Sequence, residues 1–482
     1  MSELLFTTAQ DLAIRIRRGE LSAVGVLDAH LTQIARHNRQ LNAIVTLDEE
    51  RARKRATEAD RALARGVLWG PLHGVPVTIK DAIETAGLRT TGGFPPLAHY
   101  VPSKDAPVVA RLRAAGAIIM GKTNIPVLSA DYRADNPIFG RTNNPWDLER
   151  TPGGSTGGGA AAIAAGFTSL EIGSDLAGSV RIPAHYCGIC ALKPTDRLVP
   201  TTGHIPEPPG VPRGVRHMIT VGPLARSVED LALALSLIAG PDGYEPEVPP
   251  VMLSDAGDRP LSTARFAWSD DFGGVPVTGD TKAALRSLVK ELEKSGCQVE
   301  RREPDGFDFE TAWEIWGEIL LAERAATAPE RAAERIAALG AEVDSPVAIF
   351  RGMARGARAT MQQYAESLTT RDALITALET FLGSWDAFLC PVSVGPAIEH
   401  CPFGTPIDID GQEVPYLVAG VAYTCPFNLT GNPVVVLPMT LSAGGLPIGV
   451  QFVGRRWGDM QLLALAAQVA KVIGPFRRPP GY

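Results

Sequence analysis

One stretch of the chain, TPGGSTGGGAAAIAAGFTSLEIGSDLAGSVRIPA (151–184), is built almost entirely from small side chains. Its alanine-rich run, 160–165, reads as a helix whose short side chains let it pack close to a sheet. Glycine-rich loops flank this helix, and each carries a serine, Ser155 and Ser179, 24 positions apart. Glycine beside serine lets backbone approach a ligand with amide N–H groups free to point at it. Two such serines suggest a nucleophile and a proton relay in one pocket.

The surrounding pattern alternates helices with strands and predicts an α/β architecture. Thr8 is placed to cap a first helix, and further helices are expected over about 24–34 and 47–64. Val75, Val77 and Ile79 alternate with Pro76, Thr78 and Lys80, which is strand periodicity. Pro76 favours an edge position or an irregular start for that strand. A helix over 108–115, stopped by Gly116, leads to a short buried strand at 117–120. Long Pro/Gly loops are expected at 200–214 and 240–250. Beyond them come a helix over 281–295, a strand over 297–301 and a mostly helical stretch over 309–382. Near the end, NPVVVLPM and GLPIGVQFVG read as core strands, and Asp459 as the cap of a last helix.

The length of 482 residues allows several domains or one large α/β core. The formal net charge of −7 excludes the basic face a nucleic-acid binder or an anionic-membrane binder needs. No apolar run approaches the roughly 18 residues of a membrane span, and the first residues do not read as a secretory signal. The six cysteines fit a reduced cytoplasmic protein. Cys187 and Cys190 form a lone C-x-x-C without the second pair or histidine cluster a zinc site wants, so they read as structural thiols.

Two motifs invite other readings. GAIIMGKT (116–123) has Walker A spacing, but it follows a helix and its loop would be the apolar run Ala-Ile-Ile-Met. GGSTG (153–157) has the spacing of a hydrolase nucleophile elbow, but the residues before it do not read as a strand. His185, His204, His217 and His400 follow Ser155, and none has the context of a triad histidine. A serine still needs a base. A lysine desolvated enough to lose its proton near neutrality can serve, and Lys80 ends an apolar strand.

Taken together, PLHGVPVTIKDAI, GKTNIP, NNPWD, the stretch from Pro152 to Thr195, GPLARSVEDLALAL and the C-terminal GNPVVVLP and GLPIGVQFVGRR resemble the amidase signature family of serine hydrolases. The resemblance covers most of the chain and is weakest over about 245–400. It implies one α/β domain over 1–482, with a large mixed central sheet flanked by helices on both sides. The signature core would lie at about 65–235, a variable pocket region at 245–400, and closing strands and helix at 420–475. It also implies a Ser–cis-Ser–Lys triad: Ser179 as acyl-forming nucleophile, Ser155 as the bridging serine behind a cis Gly154–Ser155 bond, and Lys80 as the base. Backbone amides of Leu176, Ala177 and Gly178 would bind the oxyanion, and Asp175 and Arg181 would support that loop. No cofactor and no metal are implied.

The implied reaction is hydrolysis of a C–N bond in a small-molecule amide; the tryptophans, Phe350 and several Met and Ala positions of the variable region fit an apolar or aryl ligand, and core packing explains them as well. Oligoamides, carbamates and esters present a similar carbonyl. A monomer or homodimer is expected. The alternative is the glutaminase-like subunit of a tRNA-dependent amidotransferase. Three positions depart from the family's pattern: Thr156, where serine is common; Ala177, where glycine is common and where a positive φ would cost about 1 kcal/mol; and Val127, in place of an acidic residue.

Overall fold

In the computed structural model, which describes residues 2–205, 213–253, 257 and 259–482, eleven strands form one sheet. In chain order these are β1 (Ile44–Leu47), β2 (Pro76–Lys80), β3 (Ile118–Thr123), β4 (Leu170–Asp175), β5 (Cys190–Lys193), β6 (Thr220–Ala225), β7 (Arg265–Trp268), β8 (Gln298–Arg301), β9 (Ala387–Pro391), β10 (Val434–Leu441) and β11 (Pro447–Val453). Their spatial order is β1-β3-β2-β4-β6-β5-β10-β11-β9-β7-β8. β3, β2 and β4 run parallel, as do β9, β7 and β8, while the middle strands pair antiparallel. The sheet is therefore mixed, as the family resemblance implies.

Both faces are covered, and strand alternation divides the side chains between them. Ile119, Ile79, Ile172 and Val435 pack on one face with the helices Ala9–Arg17, Pro107–Ala114, Val228–Ile238 and Asp459–Ile473. Ile118 and Met120 turn to the other face and meet Ala161 and Ala162 of the helix Gly157–Ala164. Every residue of that helix is buried. At Gly158 an added Cβ would lie 2.3 Å from the backbone nitrogen of Asn124, so only glycine permits this approach to the end of β3.

Several expectations are refined. Thr8 does cap the first helix, accepting from the amide of Asp11. The second helix extends to Ala23–Leu41, and a strand, β1, precedes the helix Glu49–Ala64 where the sequence suggests helix alone. β2 is interior, so of the two readings of Pro76 the irregular start holds and the edge position does not. Pro76 is tolerated because it is the first residue of the strand and the register shifts at the next step, between Val77 and Thr78. β3 runs on through Gly121, Lys122 and Thr123, so the Walker-like GKT is strand and not a phosphate loop. Asp459 is the first residue of the last helix, and its carboxylate is turned to the amide and hydroxyl of Thr195, at 2.8 and 2.6 Å, instead of capping. Much of the loop expected at 200–214 lies outside the described residues. Among the described residues, no helix is long and apolar enough to cross a membrane.

Candidate active site

β2 and β4 are hydrogen-bonded neighbours, and each delivers its C-terminal end to the same place. Lys80 closes β2, and its ammonium end has no solvent exposure. Its Nζ is hydrogen-bonded to Ser155 Oγ at 2.6 Å and to Ser174 Oγ at 2.9 Å, with Ser174 O at 3.4 Å. Burial lowers the Lys80 pKa from 10.5 to about 7, while the charges of Asp175 and Glu171 pull the other way.

Burial alone does not single out this lysine. Lys122 and Lys193 are also fully buried, and burial lowers them to about 8 and about 7. Lys122 is engaged by Ile83 O, Thr85 Oγ1 and Thr90 Oγ1, and Lys193 by Pro194 O. Of the three, only Lys80 touches a serine hydroxyl.

Ser155 follows a cis Gly154–Ser155 peptide bond. A Cβ at residue 154 would stand 2.7 Å from both the nitrogen and the oxygen of Arg133, so the segment after Val127 closes directly on this turn and only glycine fits. Within that segment Leu128 and Ser129 both have positive φ, 49° and 57°. The amide of Thr156 donates to Ser179 O at 3.0 Å, tying the two serine loops together. The Thr156 side chain packs against Gly173, where an added Cβ would meet its Cγ2 at 2.6 Å. Ser179 is half-buried, unlike Ser155, and its hydroxyl takes no hydrogen bond among the described residues.

Asp175 and Arg181 hold the second serine loop. Asp175 accepts from the amides of Gly178 (2.8 Å) and Val180 (3.1 Å). Arg181 grips the same carboxylate with Nε at 3.1 Å and Nη2 at 2.9 Å, both side chains fully buried. Burial would raise this carboxyl's pKa, but the Arg181 charge and hydrogen bonds, with Asn428, hold it well below the usual range. Asp175→Ala would strand Arg181 in the interior. We expect a loss of about 3–5 kcal/mol in urea unfolding. A folded-state pKa below the unfolded 3.8 means that this stability is present above about pH 4 and is lost as the pH falls towards the folded value.

The amide directions differ from expectation at Gly178. Its N–H is already donated to Asp175 and is not free for an oxyanion. The Leu176 carbonyl accepts from Trp316 Nε1 at 3.2 Å, so the N–H across that trans peptide, on Ala177, points the opposite way. The amides of Leu176 and Ala177, both expected at the oxyanion, have no acceptor among the described residues, and neither does that of Ser179. Ala177 is not among the residues with positive φ, so the strain considered for it does not arise.

Two side chains enter the site that sequence reading does not place there. Ser174 is the residue before Asp175 on β4, and His204 Nε2 lies 2.8 Å from its hydroxyl. Two of the other histidines are engaged elsewhere: His185 with Gly395 O and the Gly449 amide, and His217 with Glu323. The two cysteines of CGIC donate to different carbonyls, Cys187 to Pro152 O and Cys190 to Arg226 O, and burial pushes the Cys190 thiol up to about 12. Among the described residues no group of three or more His, Cys, Asp or Glu could hold a metal. EDTA is expected to leave turnover unchanged; loss with EDTA and recovery with zinc would contradict this.

A family model described as Amidase matches residues 25–463. The chain belongs to the amidase signature family. It is 34% identical to an indoleacetamide hydrolase of Bradyrhizobium diazoefficiens, over 95% of this chain and 85% of that one. It is 32% identical to a subunit of the glutamyl-tRNA(Gln) amidotransferase of Symbiobacterium thermophilum, over 94% of each. The solved structure of a 6-aminohexanoate cyclic dimer hydrolase superposes with a TM-score of 0.82 at 28% identity, covering 99% of both chains. The family's members act on C–N bonds, and the mixed sheet with helices on both faces is its architecture.

Proposed function

We propose that this chain is a free-standing amidase that cleaves apolar or aryl amides through a seryl acyl-enzyme. The contact that carries this reading is the buried Lys80–Ser155 hydrogen bond beside a half-exposed, uncommitted Ser179. Ser179 Oγ attacks the carbonyl carbon and its proton passes to Ser155, whose own proton moves to neutral Lys80. The amides of Ala177 and Ser179 receive the oxyanion; one such donor contributes roughly 3–4 kcal/mol. Collapse breaks the C–N bond, and the proton returns through Ser155 to the leaving nitrogen. Water then attacks the ester by the same relay and releases the acid.

An apolar acyl or aryl group suits the surroundings of the serine loop. Leu176 and Ala177 pack against a cluster that includes Trp313, Trp316, Phe272 and Phe309, with Phe350 at its margin. Carbamates, oligoamides and esters fit the same chemistry as secondary substrates.

A second reading is a glutaminase-like component working inside an amidotransferase, favoured by the 32% identity to a protein of that kind. A panel of primary amides, anilides, oligoamides, carbamates and glutamine, given to the isolated chain, separates the two. Turnover of apolar amides or anilides without partner or tRNA supports the first. Turnover of glutamine alone, raised by partner proteins, supports the second.

A further inference from the structure

The neutral Lys80 amine has three polar neighbours and three directions in which to meet them. Two directions carry N–H bonds and the third carries the lone pair. Ser174 O can only accept, so it claims one N–H. The second N–H must go to one of two hydroxyls, Ser174 Oγ or Ser155 Oγ, and the other hydroxyl must donate to the lone pair. Only the arrangement in which Ser155 donates to the lone pair lets Lys80 act as a base. Nothing within the Lys80–Ser155–Ser174 cluster selects it.

One group outside the cluster reaches it, His204. Its ring nitrogen Nε2 is 2.8 Å from Ser174 Oγ. The loop carrying it is pinned beside the end of β2, with Gly203 O accepting from the amide of Glu84, Ile205 N donating to Ala82 O, and an antiparallel bridge between Ile83 and His204. Burial first, and then the charges of Lys80, Arg213 and Arg324, hold the imidazole neutral. A neutral imidazole with its proton on Nδ1 presents Nε2 as an acceptor.

We propose that His204, carrying its proton on Nδ1, is a positioning residue that sets the direction of the proton relay. By accepting the Ser174 O–H, His204 leaves Ser174 Oγ as an acceptor for the second Lys80 N–H. The lone pair is then free for Ser155. When Lys80 takes the proton, its three N–H bonds go to Ser174 O, Ser174 Oγ and Ser155 Oγ, and the Ser174–His204 hydrogen bond is unchanged. His204 touches neither substrate nor the reacting atoms. The inference rests on Lys80 being the base.

The test measures acylation rate and its pH dependence with a chromogenic anilide or ester in His204→Ala, His204→Gln, Ser174→Ala and the His204→Ala/Ser174→Ala double variant, with Lys80→Met as reference. The charged groups that bear on Lys80 are Asp175 and Glu171; those on His204 are Lys80, Arg213 and Arg324. His204→Ala should lower kcat by roughly 10- to 100-fold with KM little changed, the scale of a misdirected catalytic group. Its acid limb should move to higher pH, because water reaches Lys80. His204→Gln, which keeps an acceptor, should recover most of the rate, and the double variant should be no slower than Ser174→Ala. An unchanged rate and pH limb in His204→Ala, or a full additional loss on top of Ser174→Ala, would overturn the role of His204. Native turnover in Lys80→Met would instead overturn the base assignment beneath it. Melting curves of His204→Gln and Ser174→Ala guard against misfolding; a slow but natively stable Gln variant that shows no recovery also counts against the proposal.

Discussion

Ser179→Ala is expected to abolish acyl-enzyme formation and to lower turnover on the order of 10⁴-fold or more, because the attacking oxygen is removed while the rest of the site stands. The loop should survive the change. Its backbone is held by Asp175, Arg181 and the Thr156–Ser179 hydrogen bond, none of which uses the Ser179 hydroxyl. The measurement is mass spectrometry of the protein after a serine-directed covalent inhibitor or a slow ester. The parent should carry the adduct on a peptide containing Ser179, and the variant should carry none. An adduct mapped to Ser155 would reverse the roles of the two serines.

Lys80→Met separates activity from stability. Turnover should fall by about 10²–10⁴-fold or more, the usual contribution of a general base. In the parent, the acid limb of kcat/KM should rise with pH through about 7 and level off above it, since only the neutral amine can take a proton. The stability effect has the opposite sign. The folded-state pKa of Lys80 is below the unfolded 10.5, so between about pH 7 and 10.5 the unfolded chain binds more protons. This lysine's contribution to stability therefore improves as the pH rises through that window, and its full cost is felt below about pH 7. Methionine, similar in length and apolar, removes that cost. We expect Lys80→Met to melt at a higher temperature than the parent at pH 6, with the difference shrinking towards pH 10. A variant both inactive and unfolded would assign Lys80 a structural part instead.

The elements around Lys80 are the most legible in the sequence, for a physical reason. Val75, Val77 and Ile79 alternate because one face of a strand is repeated every second residue, and alanine at 161 and 162 is needed where a helix presses on Ile118 and Met120. Strand order is not legible. β5 lies between β6 and β10, a placement decided by long-range packing and not by local pattern. Pro76 points towards an edge because proline lacks a ladder donor, and the register shift that accommodates it inside the sheet leaves no mark in composition.

Within the site, Lys80, Ser155 and Ser179 stand out because small residues surround the serines and an apolar strand leads to the lysine. Ser174 and His204 do not. Ser174 looks like any strand serine, and His204 sits in a Pro/Gly-rich loop whose return to the end of β2 depends on hydrogen bonds to Ala82 and Glu84. Gly178 reads as available because glycine amides are exposed by default; the Asp175 carboxylate three residues earlier claims it.

The seam between β2 and β4 also acts as a safeguard in time. Only two residues of β2, Thr78 and Ile79, are registered against β4, yet that join brings Lys80 to Ser174. Before it closes, the same lysine is an ordinary solvated cation, and a serine beside it is chemically inert. On the proposed mechanism, a chain in which this seam is open carries no armed nucleophile. Recovery of serine reactivity during refolding is expected to require the closing of this seam.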